Sequence, residues 1–245
     1  MKPKKSLGQN FLKSPLITNT LCKTGNLNND DIILEIGPGK GILTQKLLEK
    51  SKKVIAVEKD IELFNFLKNK FNSEKLELIH GDILNYNPPK KYKIIANIPY
   101  NITGAILRKF LSSENQPEKI VLLVQKEIAN RICSKDKESI LSLSIKAYGT
   151  PKYIMKVSRK FFSPSPKVDS AVISINNISR NNFKDKEEEE EFFKLIKKGF
   201  CHKRKILINN LKIDSEKLEA LGINKKIRPE KLTLQKWLKL NQNMI

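Results

Sequence analysis

Apolar positions along the chain follow two periods. Short aliphatic runs at 31–36, 53–57, 76–79, 93–96 and 118–125, each bounded by glycine, proline or a charged residue, read as buried strands. Between them apolar residues recur three and four apart, as in Ile42, Leu43 and Leu47, then Leu63, Phe66, Leu67 and Phe71, then 102–112. Those stretches read as helices packed by one face. Strands that are continuously apolar, alternating with amphipathic helices, predict an α/β domain with a mostly parallel sheet. Further helical patterns occupy 126–133 and 140–147. Past Pro151, residues 153–157 and 168–175 read as an antiparallel pair that closes the sheet. A polar linker, 176–184, sets the boundary near Arg180, giving a domain over 1–180 and a small all-helical domain over 181–245. In the latter, Asp185 can cap a helix whose first turns are acidic and whose end carries Lys194, Lys197 and Lys198, complementing the helix dipole. Another helix should follow with Ile206, Leu207 and Leu211 on its apolar side, then two more over 215–221 and 229–240, with Trp237 in the core.

The strand ends carry the candidate chemistry. In open α/β sheets ligands bind beyond the carboxyl ends of the strands. The first strand runs into Gly37-Pro38-Gly39-Lys40-Gly41, where glycines let backbone N–H groups approach a ligand at a helix N-terminus. The second ends in Glu58, 21 positions after Gly37, matching the acid about 20 residues on that holds ribose hydroxyls in such folds. The third leads to Gly81-Asp82-Ile83, where Asp82 could accept from an adenine amine with Ile83 against the ring. The fourth delivers Asn97-Ile98-Pro99-Tyr100: an amide able to pair with adenine, a proline that stiffens the turn, and an aromatic face for stacking. Singly, each has a plainer reading: a ligand-free glycine turn, a solvated glutamate, a capping aspartate, a half-buried tyrosine. Four at successive strand ends predict a small-molecule site beside a base-handling site.

Charge widens the picture. The formal net charge is +21, with a positive excess on both sides of residue 180, which fits an acidic polymer and above all nucleic acid. Residues 1–29 hold Lys2, Lys4, Lys5, Lys13 and Lys23 and no acid. This arm is either solvated or touches phosphates, with Gln9-Asn10-Phe11-Leu12 folding over a ligand. Residues 194–205 hold six Lys/Arg and no acid, including Lys197, Lys198, Lys203, Arg204 and Lys205, a candidate RNA-backbone patch. The loop Phe161-Phe162-Ser163-Pro164-Ser165-Pro166-Lys167 predicts an exposed Phe162 that stacks a base and Lys167 near a phosphate, with core packing of one phenylalanine as the alternative. Three scattered cysteines and two histidines argue against disulfides and a metal site. The scattered cysteines fit a reducing cytosol and a cytoplasmic protein, no signal-peptide pattern or run long enough to span a membrane is present, and no heptad seam suggests more than a monomer.

With these residues in hand, the chain closely resembles the KsgA (RsmA) family of small-subunit ribosomal RNA adenine N6,N6-dimethyltransferases. The resemblance rests on GQNFL (8–12), EIGPGKGILT (35–44), Glu58, Gly81-Asp82, NIPYNIT (97–103), LVQKEIANRI (123–132) and FSPSPKVDSAV (162–172), in that order. It implies a Rossmann-like domain binding S-adenosylmethionine, then a small helical domain contacting RNA. By that likeness Asn10, Leu12, Gly37, Glu58, Asp82 and Asn97 would touch the cofactor, with Gly39 and Ile83 beside them. Asn97, Ile98, Pro99, Tyr100 and Phe162 would hold the adenine in the transfer so implied, while the RNA contacts of Lys4, Lys5, Lys167 and the 194–205 patch rest on the charge reading. The implied substrate is a pair of adjacent adenines in the 3′-terminal hairpin of 16S rRNA, in the 30S subunit or its precursor. Two alternatives share the scaffold: an Erm-type 23S rRNA methyltransferase and a non-catalytic RNA-binding assembly factor.

Overall fold

The computed structural model describes residues 3–4, 7–202 and 204–243. Lys5 and Lys203, both expected at RNA, lie outside the described residues.

Five aliphatic runs form parallel strands: β2 (Ile32–Ile36), β3 (Lys53–Glu58), β4 (Leu76–His80), β5 (Lys93–Asn97) and β6 (Lys119–Gln125). Helices α2 (Ile42–Leu48), α3 (Ile61–Lys70) and α4 (Thr103–Leu111) connect them. After α5 (Lys126–Cys133) and α6 (Ile140–Lys146) come β7 (Thr150–Val157) and β9 (Ser170–Asn176). The sheet order is β4-β3-β2-β5-β6-β9-β7, with β9 antiparallel to both β6 and β7. This is a Rossmann-like, mostly parallel sheet. Its chain order reverses between β2 and β5, the switch point at which such sheets open a crevice. The central strands are fully buried, with Ile33, Leu34, Ile94, Ile95, Val121 and Leu122 at 0% exposure, which is why they read as unbroken apolar runs.

The basic arm is more structured than its sequence suggests. Phe11–Leu12 form β1, paired antiparallel with β8 (Phe162–Ser163). Pro15–Gly25 form helix α1, with proline in the first turn and Ile17, Leu21 and Cys22 buried. The signal was there in Pro15 and the four-residue spacing of Ile17 and Leu21. It is masked by the surrounding lysines.

The chain divides into two compact units, one of residues 1–130 and 150–178, the other of 131–149 and 179–245. The second break lies beside the expected boundary at Arg180, and residues 131–149 group with the C-terminal helices. That unit holds α6, α7 (Lys186–Gly199), α8 (Leu207–Leu211), α9 (Ser215–Ala220) and α10 (Leu234–Gln242). The Asp185 carboxylate accepts from Glu188 N at 2.8 Å and caps α7. Of the acidic run, Glu189 is buried, accepting from the Tyr148 hydroxyl and from Arg180 at 2.6 Å. Trp237 is fully buried. Three local readings are corrected. Phe66 is 36% exposed, with Lys70 Nζ 5.7 Å from its ring centroid, because only Leu63 and Leu67 of α3 turn to the core. The expected helix at 229–240 is a 3-10 turn, Pro229–Lys231, followed by α10, since Thr233 caps a fresh start by accepting from Lys236 N. The helix expected beyond the basic patch is confined to Leu207–Leu211.

Candidate active site

The carboxyl ends of β2, β3, β4 and β5 converge on a cleft of about 270 Å³. Its lining includes Gly37, Gly39, Glu58, Asp82, Ile83 and Asn97 to Tyr100, together with Asn10 and Leu12 of the arm. These are all of the expected cofactor residues and four of the five expected base-handling residues. A shallower depression, lined by Gly8, Asn10, Tyr100, Asn101 and Gln125, shares its first four residues with that cleft. Tyr100 stands where the two meet.

Each wall has a local cause. Gly37 and Gly39 adopt φ of 63° and 60°, a region open to glycine, and a side chain at Gly39 would press on Phe11. Glu58, 6% exposed, ends β3 and bridges two backbone donors: Gly39 N at 3.1 Å and Asp60 N at 2.9 Å. Burial raises its pKa, the two N–H groups opposing. Asp82 accepts from Leu84 N at 2.9 Å and pairs with Lys59 at 2.8 Å, and that lysine holds its carboxyl below the usual range. Asn97 donates its side-chain N–H to the Asn10 carbonyl at 3.3 Å, tying β5 to the arm. Tyr100 begins a 3-10 turn after Pro99, and its hydroxyl lies 2.6 Å from Ser170 Oγ.

The arm is latched over this cleft. Lys4 Nζ bonds Asp60 Oδ1 at 2.8 Å, Gln9 Nε2 bonds Asp60 Oδ2 at 2.8 Å, and Lys4 N donates to Gln9 Oε1 at 2.7 Å. Burial alone would raise the Asp60 pKa, but the hydrogen bonds from Lys4, Gln9 and Glu62 N together with the Lys4 charge outweigh it and the net shift is downward. Asp60 also accepts from Glu62 N at 3.0 Å, capping α3.

Glu35 is the cleft residue that sequence reasoning missed. It interrupts the apolar run of β2 just before Ile36, is 1% exposed, and its Oε2 has no hydrogen-bond partner. Burial pushes its pKa up to about 8 and the nearby Glu58 adds to the rise, while the Thr44 hydroxyl, close but outside hydrogen-bond geometry, tempers it. An acid inside a strand otherwise wholly apolar was the available signal.

The family model described as "Ribosomal RNA adenine dimethylase" matches residues 1–245. The chain belongs to the ribosomal RNA adenine dimethylase family. Relatives named "Ribosomal RNA small subunit methyltransferase A" include one from Fusobacterium nucleatum, 39% identical over 98% of this chain and 96% of its own length. Another, from Mycoplasma capricolum, is 37% identical over 98% and 97%. Among solved structures, a dimethyladenosine transferase from Plasmodium falciparum superposes with a TM-score of 0.83 at 27% identity, covering 94% of this chain and 95% of that one. The 23S rRNA methyltransferase ErmE shares the fold, with a TM-score of 0.81 at 24% identity over 95% and 98%.

Within this dimethylase-family chain, two expectations change. Phe162 was expected to be exposed for stacking, and it is 2% exposed, packed in the core with Leu12, Ile17 and Val172. Pairing of β8 with β1 turns its ring inward, opposite Leu12, and leaves Phe161 half-buried instead. Lys4, expected at RNA, is committed to Asp60 and to Glu62 at 2.9 Å. Lys167, Lys197, Lys198, Arg204 and Lys205 are exposed. Among the described residues no helix is long and apolar enough to cross a membrane, and no His/Cys/Asp/Glu cluster could hold a metal.

Proposed function

We propose that the protein transfers methyl groups from S-adenosylmethionine to the exocyclic N6 amines of two adjacent adenines in the 3′-terminal hairpin of 16S rRNA, acting as a cytoplasmic monomer on the 30S subunit or its precursor. The observation that carries the proposal is the convergence of Glu35, Glu58, Asp82 and Asn97 to Tyr100 on one cleft at the sheet's switch point. Family membership and small-subunit relatives over nearly the full chain support the RNA and the subunit.

The cleft suits this cofactor. Two of its carboxylates, Glu58 and Asp82, offer acceptors for the hydroxyl and amine donors of an adenosine, with Lys40 and Lys59 in the same lining balancing their charge. The unpartnered Glu35 Oε2, buried at its wall, lacks a donor such as an ammonium would supply. Glu58 would hold ribose hydroxyls, Asp82 the adenine amine and Ile83 the adenine ring, while Gly37 and Gly39 keep the backbone close. When bound, S-adenosylmethionine supplies a methyl group already activated on a sulfonium.

The residues of this chain then have to align an acceptor. Because the Asn97 amide N–H is given to Asn10, its carbonyl oxygen is the end that would accept from a target amine. A second hydrogen bond to the Ile98 carbonyl would draw the amine out of conjugation with its ring, so that its lone pair can attack. The Tyr100 ring would stack on the unstacked base, as base-modifying enzymes require. Holding both partners in line is the main source of acceleration, and solvent takes the proton after transfer.

Transfer of labelled methyl from S-adenosylmethionine to undermethylated 30S subunits, with 23S rRNA in parallel, tests this reading. The expected result is label in 30S that maps to paired dimethyladenosines. Label confined to 23S rRNA would reassign the substrate, and cofactor binding with no label in either would make the protein an RNA-binding factor. In the same assay Asn97→Ala should lower transfer by at least about a hundredfold, as expected for a group that positions the acceptor. Near-normal rates would remove Asn97 from the reaction.

A further inference from the structure

A tyrosine stacks productively only when both of its side-chain torsions are set, and Tyr100 sits on a single 3-10 turn, Tyr100–Ile102, at the edge of two depressions. What meets its hydroxyl comes from seventy residues away. Ser170 opens β9, is fully buried, and places Oγ 2.6 Å from the Tyr100 hydroxyl. Its backbone is fixed on both sides, in register with Gln125 of β6 and with Val157 of β7. A hydroxyl on the central strand of three, paired on both sides, is a rigid reference point. A serine on a loop would not be. Ring and reference also belong to different parts of the site: Tyr100 follows the parallel strand β5, whereas Ser170 belongs to the antiparallel closure of the sheet.

We propose that Ser170 is a positioning residue for the adenine, fixing the Tyr100 ring by a hydrogen bond so that one face is presented to the target base. The proposal rests on the adenine-methylating reading above and deepens it. It gives the antiparallel end of the sheet a role in catalysis: β9 locates the stacking surface that β5 delivers. It also assigns a purpose to the Tyr100 hydroxyl, which a purely stacking ring does not need. Gln125, opposite Ser170 on β6, lines the shallower depression with Tyr100, so the same ladder position borders the space in which the base would lie.

The test is a double-mutant cycle of Ser170→Ala and Tyr100→Phe, both of which keep the ring or the strand and remove the bond. Each single variant should lower kcat for methyl transfer about fivefold, the worth of one ordinary hydrogen bond, with cofactor Kd unchanged. The double variant should be no worse than either single one, since each removes the same interaction. A short single-stranded RNA carrying 2-aminopurine at the target position gives a readout that needs no chemistry: its quenching on binding should weaken in Ser170→Ala. Wild-type kcat and quenching in Ser170→Ala would overturn the proposal, as would additive losses in the double variant or a loss of cofactor binding in Ser170→Ala. If the wild-type protein transfers no methyl yet its quenching depends on Ser170, the reaction is wrong and the positioning stands. Wild-type protein that neither transfers nor quenches overturns both.

Discussion

Glu35 concentrates the electrostatics of the site. Its carboxyl is held near pH 8, against an ordinary value of 4.5, chiefly by burial. A raised carboxyl pKa means the folded chain keeps a proton that the unfolded chain has lost. Between these two values, stability therefore falls as pH rises, with a slope of up to about 1.4 kcal/mol per pH unit, and levels off above the folded value. Glu35→Gln should flatten that decline. Denaturant titrations of both proteins across this window check it, and parallel profiles would show that the carboxyl is not the source. At this scale much was readable: Glu58, Asp82 and Asn97 stand at strand ends, where sequence spacing alone marks them. Glu35 was not. Its burial depends on what packs around β2, and a single acid in an apolar run carries no spacing.

Elements decide what single residues cannot. The two-residue strand β1 pairs with β8 across about 150 positions of chain, and this pairing buries Phe162 and brings Asn10 to Asn97. The Asp60 latch does the same work at the other end of the arm, where Lys4 and Gln9 close on one carboxylate. In the helical unit, Gly199 ends α7 against α10, and a Cβ there would come 2.3 Å from Trp237 Cη2. The indole is itself stacked on Phe200 at 5.9 Å, so the ring cannot step aside without disturbing that pair. Gly199→Ala should destabilise this unit by about 1–3 kcal/mol, the usual cost of overpacking. Thermal unfolding followed through Trp237 fluorescence measures it, and an unchanged midpoint would mean that the helices separate freely.

Over the whole molecule, the net charge of +21 coexists with a cleft lined by three carboxyl groups. The surface excess suits a polyanion, whereas the cleft carries little net charge, since Glu58 and Asp82 stand beside Lys40 and Lys59 and burial keeps the Glu35 carboxyl protonated at neutral pH. Lys4 shows why composition cannot assign individual contacts, since its charge is spent on Asp60 and Glu62. The exposed Lys197, Lys198, Arg204 and Lys205 remain as candidates. Replacing these four with glutamine should weaken binding of RNA and reduce the slope of log affinity against log salt by up to about 0.7 per cation replaced. Filter binding over a salt series reads this directly, and an unaltered slope would move the RNA surface elsewhere.

The sequence by itself determined the parallel strands, the turn chemistry at their ends and the family, because hydrophobic period, glycine spacing and strand-end residues are local properties. Tertiary structure decided which groups meet: the arm latched to Asp60, Phe162 turned into the core, the unpartnered Oε2 of Glu35, and Ser170 at the Tyr100 hydroxyl. Those depend on pairing between segments far apart in the chain, where register and burial are set by the packing of the whole sheet and leave no periodic mark on the residues themselves.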